Sequence, residues 1–338
     1  MGNTAVKTSK NDIFGISGPP VNTHDWNDPD YQRKVMACCT MGVYVLERDR
    51  QNNRQGPQAL AEPWWKSFHF ELHTVIKDTD GNIFGVILEF NPQTNHKQYS
   101  RQGAPRYVIA FRGTIPQSDS LIRDLKLDFN IIMNELHLSP CFHIAVRWVE
   151  QMVATKEIIW LTGHSLGASM AMLAGKKMAK NHATYLPAFL FNPPFPSFPT
   201  EMIKDKTLKN KARKVKSILK ALLAKMVKPE PESPFAALFP WMPHLFVNPE
   251  DHICMEYKGY FEHRKVMEEC GMKKIEQQAT QYTVGGLMRS AIGNGAEPLH
   301  LIPSANLFVN LSPVEKPHAI KQWWMPNMQL QRTEYRYK

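Results

Sequence analysis

Glu157-Ile158-Ile159-Trp160-Leu161-Thr162-Gly163-His164-Ser165-Leu166-Gly167-Ala168-Ser169-Met170-Ala171 is the stretch from which the rest of the chain can be placed. A short apolar run breaks at Gly163-His164-Ser165-Leu166-Gly167 and resumes as an Ala/Met/Leu-rich stretch of helical composition. Strand, sharp turn and helix in that order make a nucleophile elbow, with Ser165 at its tip as the candidate nucleophile. The spacing has a steric cause. A serine raised on such a turn is strained, and the residues two before and two after it pass so close to their neighbours that only glycine fits, which Gly163 and Gly167 satisfy. The turn also sets Ser165 beside the unpaired N–H groups of a helix start, so the Leu166 N–H is an expected donor to an oxyanion.

Working outward, strands and helices alternate. Upstream, Tyr31 to Glu47 has helical spacing through Val35, Met36, Cys39, Val43 and Leu46, and His69 to Phe90 reads as a hairpin turning at Asp78-Thr79-Asp80-Gly81-Asn82. Arg106 to Thr114 is a mostly apolar and therefore central strand, ending in a glycine turn. Leu121 to Leu136 and Cys141 to Ala154 read as helices. Downstream, Pro187 to Phe191 and Leu245 to Asn248 are short strands, and Tyr257 to Glu269 is helix-like. This alternation predicts an α/β fold, a mostly parallel central sheet with helices on both faces. Residues 1–12 are expected to be a disordered tail and 13–338 one domain.

One segment departs from the rhythm. Prolines fence residues 197–243 on both sides, and within them Ile203 to Lys228 has ten lysines and arginines against the single acid Asp205. Nearly all of the chain's net charge of +10 lies there. Leu208, Ala212, Val215, Leu219, Leu222 and Met226 recur at helical steps, so the segment predicts a basic amphipathic helical insertion. Two uses fit it: a surface helix with solvated lysines, or a cap whose Lys209, Arg213, Lys214, Lys216 and Lys220 meet an anionic membrane. Nucleic acid is not expected as a partner, since only one arginine is present in this segment and no binding fold is visible.

The composition sets further bounds. Hydrophobic content of 43% and charged content of 21% are those of a soluble globular protein, and no apolar run reaches the ~20 residues of a membrane span. Met1 to Thr8 lacks the apolar core of a secretory leader, and Val6 stands where a myristoylation site wants serine or threonine. Cys38, Cys39, Cys141, Cys254 and Cys270 are odd in number and lack metal-ligand spacing. They fit reduced thiols in a cytoplasmic, at most peripherally membrane-bound protein, with no metal expected.

A serine hydroxyl needs a histidine base and an orienting carboxylate. In the elbow fold the acid follows a later strand and the histidine comes last. Asp251, in the turn after Leu245 to Asn248, is the expected acid; a helix N-cap is its other reading, and Glu250 is the reserve. His252 is too close to Asp251 and His263 lies in a helix-like run. His300, in the loop Gly293 to Leu301, is the expected base, with His318 the other candidate.

On Val108 to Thr114, the Asp124-Leu125 pair, Leu161 to Ala168, Phe191-Asn192-Pro193-Pro194 and Val247 to Asp251, the chain resembles the class 3 lipase family of α/β-hydrolases, more closely its plant cytoplasmic branch. The resemblance implies an α/β-hydrolase fold and carboxylester hydrolysis of a lipid or other apolar ester without a cofactor. It implies a triad of Ser165, Asp251 and His300, with Thr114 joining Leu166 in the oxyanion hole and Asp124 steadying that loop. The family's tryptophan before the Asp-Leu pair is absent here, and the basic insertion is not part of the fungal pattern, so the lid is expected to differ. Ser118-Asp119-Ser120-Leu121 looks like a GDSL motif without its glycine and lies too far along the chain to act as one. The alternatives to hydrolysis are an acyltransferase and a non-catalytic protein of the same fold that binds a membrane or partner through the basic helix.

Overall fold

The computed structural model describes residues 25–92, 102–115, 136, 139–195, 236–269 and 301–336. Its strands are β1 (Phe70–Lys77), β2 (Ile83–Phe90), β3 (Tyr107–Phe111), β4 (Ile159–His164), β5 (Ala188–Phe191), β6 (His244–Val247), β7 (Ala305–Asn310) and β8 (Leu330–Tyr335). They form one sheet in sequential order. β3 to β7 run parallel, while β1, β2 and β8 are antiparallel to their neighbours. The described helices are α1 (Pro29–Gln51), the single turn α2 (Pro63–Lys66), α3 (Pro140–Ala154), α4 (Leu166–His182) and α5 (Glu256–Glu269).

Local chemistry accounts for these boundaries. Asp28 caps α1 by accepting from the Asp30 N–H, Pro29 opens it, and Arg48 and Arg50 lie in its last turn, where cations suit the helix dipole. α3 starts the same way, with Ser139 accepting from the Phe142 N–H ahead of Pro140. In the hairpin, Asp78 Oδ1 accepts from the N–H groups of Asp80 and Asn82, and Gly81 takes the left-handed conformation at φ 81°.

Side chains alternate between the faces of the sheet, giving two cores. Ile109, Phe111, Leu161, Leu190, Leu245 and Leu307 face α3, α4 and α5. Val108, Ala110, Trp160, Phe189, Phe246 and Phe308 face α1 and Trp323. The crossovers between neighbouring parallel strands all advance in one direction, and a constant crossover hand then places their helices on one face. The opposite face must therefore be covered from outside the parallel unit. α1 and the short 3-10 helix Ile320–Trp324 do this, which is why α1 is buried nearly all round.

The predicted hairpin, central strand and mixed α/β sheet are present, and the first helix is longer than expected at both ends. The sequence reading did not include β7 and β8. The tail 1–12, the helix expected over Leu121 to Leu136 apart from Leu136, and most of the insertion 197–243 lie outside the described residues. The last part of that insertion is described, and it brings Leu238 and Trp241 into the core. Among the described residues no helix is long and apolar enough to cross a membrane, and the four described cysteines are free.

Candidate active site

Ligands meet an open α/β sheet at the carboxyl ends of its parallel strands. Here each of the five parallel strands delivers one component at that edge. β3 runs into Arg112-Gly113-Thr114, β4 into Ser165, β5 into Asn192, β6 into Asp251, and β7 into the segment carrying His318.

Ser165 has φ 55° and ψ −127°, a backbone conformation that L-residues avoid. The turn is held by the Ser165 N–H donating to the Phe191 carbonyl at 3.0 Å, while its own carbonyl accepts from the Ala168 N–H at 2.9 Å and starts α4. A Cβ at Gly163 would overlap the backbone of Gly167, and one at Gly167 would overlap the Phe111 and Arg112 carbonyls. The two glycines let strand, turn and helix touch.

The imidazole facing Ser165 is that of His318. Its Nε2 lies 3.1 Å from Ser165 Oγ and its Nδ1 2.9 Å from Asp251 Oδ2. A carboxylate only accepts, so Nδ1 carries the proton and Nε2 of the neutral ring accepts from the serine hydroxyl. His318 was the other candidate of the sequence reading, and the expected base His300 lies outside the described residues. The position of His318 follows from strand β7, which the sequence reading did not include. It lies next to the acid strand, and the segment after it returns past the carboxyl ends and brings His318 between Ser165 and Asp251. Identifying Ala305 to Asn310 as a strand would have been the signal.

Asp251 is buried. Burial raises its carboxyl pKa, but His318 beside it, the Ile253 N–H and the Asn192 amide outweigh that and hold it below the ordinary carboxylate value. Its Oδ1 also accepts from the Ile253 N–H at 3.0 Å, within the turn that precedes α5. Glu250 is exposed.

A second chain of bonds lies behind the serine. His164 Nε2 is 2.8 Å from the His318 carbonyl, which only accepts, so Nε2 carries the hydrogen. Its Nδ1 then accepts from the Tyr44 hydroxyl at 2.8 Å, and that oxygen accepts from the Gly113 N–H at 2.7 Å. Burial, with His318 next to it, pushes the His164 pKa down to about 3, so the ring is neutral. The sequence reading gave Tyr44 and His164 no part in the site.

Gly113 packs on Ser165: a Cβ there would meet Ser165 Cβ at 2.8 Å. Arg112 Nη1 donates to the Gly113 carbonyl at 2.7 Å, and in a trans peptide the following Thr114 N–H points the opposite way. Leu166 is the first residue of α4, where an N–H has no intrahelical acceptor. Asp124 and the basic residues Lys209, Arg213, Lys214, Lys216 and Lys220 lie outside the described residues, as does Ser118 to Leu121.

Comparisons with known proteins bear on the family. Residues 108–216 match the family model for lipase (class 3). A protein of Arabidopsis thaliana named as a GDSL esterase/lipase is 42% identical, with 98% of this chain and 99% of the relative aligned. A solved structure, ESTFA in its Fe-lacking apo form, is matched at 14% identity with a TM-score of 0.25, covering 73% of this chain and 87% of that one, a likeness too loose to bear on the fold. With the elbow inside the matched segment and a relative aligned along nearly the whole length, the chain belongs to the class 3 lipase family.

Proposed function

We propose that this protein is a serine carboxylester hydrolase of the α/β-hydrolase fold, acting on a lipid or other apolar ester through Ser165, His318 and Asp251. The observation that carries the proposal is the unbroken line of hydrogen bonds from Ser165 Oγ through the His318 ring to Asp251 Oδ2. Ser165 Oγ attacks the ester carbonyl carbon as its proton passes to His318 Nε2. The oxyanion is held by the N–H groups of Leu166 and Thr114, and the leaving alcohol takes the proton back from His318. Water then gives a proton to His318 as it attacks the acyl-enzyme carbonyl carbon, and the acid is freed when the bond to Ser165 Oγ breaks and that oxygen takes the proton back from His318. The scheme uses no cofactor.

Family membership and the relative's name support an ester as substrate. An apolar acyl chain gains about 0.8 kcal/mol per buried CH₂, so chain length is the expected axis of selectivity. The basic segment around Lys209 to Lys220 would bring the enzyme to an anionic lipid surface.

A fluorophosphonate probe tests the reading. Wild type should label and Ser165→Ala should not, with ester hydrolysis lost in parallel. A folded wild type that neither labels nor hydrolyses favours a binding role, and an alcohol acceptor that outcompetes water makes the protein an acyltransferase. Hydrolysis across acyl lengths, with and without anionic vesicles, tests the substrate class.

A further inference from the structure

We infer that Asn192 is a positioning residue that locks the acid and the base-bearing segment together; the inference rests on the hydrolase reading above. Asn192 follows β5, is fully buried, and sits in the left-handed region at φ 47°, which asparagine tolerates better than most residues. Its Oδ1 accepts from the Trp323 indole N–H at 2.6 Å. An indole only donates, so the amide orientation is fixed and Nδ2 supplies both hydrogens on the other side. One goes to Asp251 Oδ2 at 2.6 Å, the oxygen that also accepts from His318. The other goes to the carbonyl of Pro317, the residue before His318, at 3.0 Å.

The backbone of the same two residues completes the pattern. The Phe191 carbonyl accepts from the Ser165 N–H, and the Asn192 N–H donates to the Phe246 carbonyl of the acid strand at 2.8 Å. Phe191-Asn192 thus bonds directly to the nucleophile residue, to the acid and its strand, and to the segment carrying the base. Gln322 reinforces one branch by donating to the Pro317 and Ala319 carbonyls. Without the Asn192 amide, Asp251 would keep the Ile253 N–H and Pro317 the Gln322 amide, but nothing would tie the two to each other, and His318 would lose its alignment on Ser165 Oγ. A misplacement of that kind, away from the reacting atoms, acts on the chemical step more than on substrate capture.

Asn192→Gly tests this, because glycine accepts the left-handed backbone and removes only the side chain. With active sites counted by fluorophosphonate titration, kcat per site should fall by about 10- to 100-fold with KM nearly unchanged. Asn192→Asp, which fills the same space but cannot donate and sets a second carboxylate against Asp251, should fall at least as far. A purely structural role would reduce the number of titratable sites and leave kcat per site alone, and that result overturns the inference. Should Asn192→Gly fail to fold, Trp323→Phe removes the bond that fixes the amide together with part of a buried ring, so kcat is again counted per titrated site; lowered kcat per site with KM nearly unchanged supports the inference and unchanged kcat per site refutes it. Inactive Ser165→Ala beside fully active Asn192→Gly would sink this inference alone, whereas active Ser165→Ala would sink the hydrolase mechanism beneath it.

Discussion

Replacing Tyr44 by phenylalanine removes one oxygen and leaves the ring in its buried place. That oxygen accepts from the Gly113 N–H at 2.7 Å and donates to His164 Nδ1 at 2.8 Å, and all three residues are buried. The variant therefore leaves a backbone donor and a ring nitrogen without these partners. Space for a replacement water is small, since even a Cβ on Gly113 would meet the hydroxyl at 2.9 Å. Stranding one buried polar group costs about 1–3 kcal/mol, so the pair predicts a loss of ~2–6 kcal/mol, a large share of a typical domain's stability. Activity should fall as well. Gly113 packs on Ser165, and His164 holds the carbonyl of His318, so both the oxyanion turn and the base are loosened. The assay is urea unfolding of wild type and Tyr44→Phe with kcat measured on the folded protein. A stability change within about 0.5 kcal/mol, the ordinary range for a surface substitution, with unchanged kcat would refute the reasoning.

His164, held to about 3 by burial, should make the protein acid-labile. Between there and about 6.5, the ordinary histidine value, the unfolded chain binds a proton that the folded chain refuses. Stability from this group is therefore lost as pH falls from about 6.5 toward 3, at up to ~1.4 kcal/mol per pH unit. His164→Asn should flatten the stability profile there, and an unchanged slope would contradict the assignment. Asp251, whose carboxyl is held low, adds a loss of the same sign at lower pH. Asp251→Asn should leave a folded protein with kcat reduced by about 10³- to 10⁴-fold, because an amide can donate to His318 and favour the wrong tautomer; a loss under tenfold would argue against an orienting role. At Gly175, a Cβ would press on the Trp241 ring, whose indole donates to the Leu186 carbonyl at 2.8 Å. Gly175→Ala should destabilise by about 1–3 kcal/mol despite alanine's better helix propensity, and a more stable variant by thermal melting would show that Trp241 moves aside.

Much of the architecture was legible because local patterns carried it. The Asp78 turn marked the hairpin, apolar residues at helical spacing marked Tyr31 to Glu47 and Cys141 to Ala154 as helices, and paired glycines around Ser165 marked the bend between strand and helix. β7 was missed because Ala305 to Asn310 begins and ends in small or polar residues and has neither a glycine turn nor a long apolar run. β8 is an edge strand whose side chains are half-buried or exposed, so no hydrophobic alternation announces it. Without β7 the choice between histidines rested on loop character, which favoured the glycine-rich loop at His300, whereas the sheet order brings His318 to the edge where Asp251 lies. The roles of Tyr44 and Asn192 depend on contacts between residues far apart in sequence, and neither residue sits in a motif that announces such a partner.

The central claim is that Ser165, His318 and Asp251 act as one unit, and the most direct measurement compares His318→Ala with His300→Ala in ester hydrolysis. The account predicts a kcat loss of at least about 10⁴-fold for His318→Ala in a folded protein, and activity within about threefold of wild type for His300→Ala. A His318→Ala protein that still turns over near the wild-type rate, beside an inactive but folded His300→Ala, would contradict it.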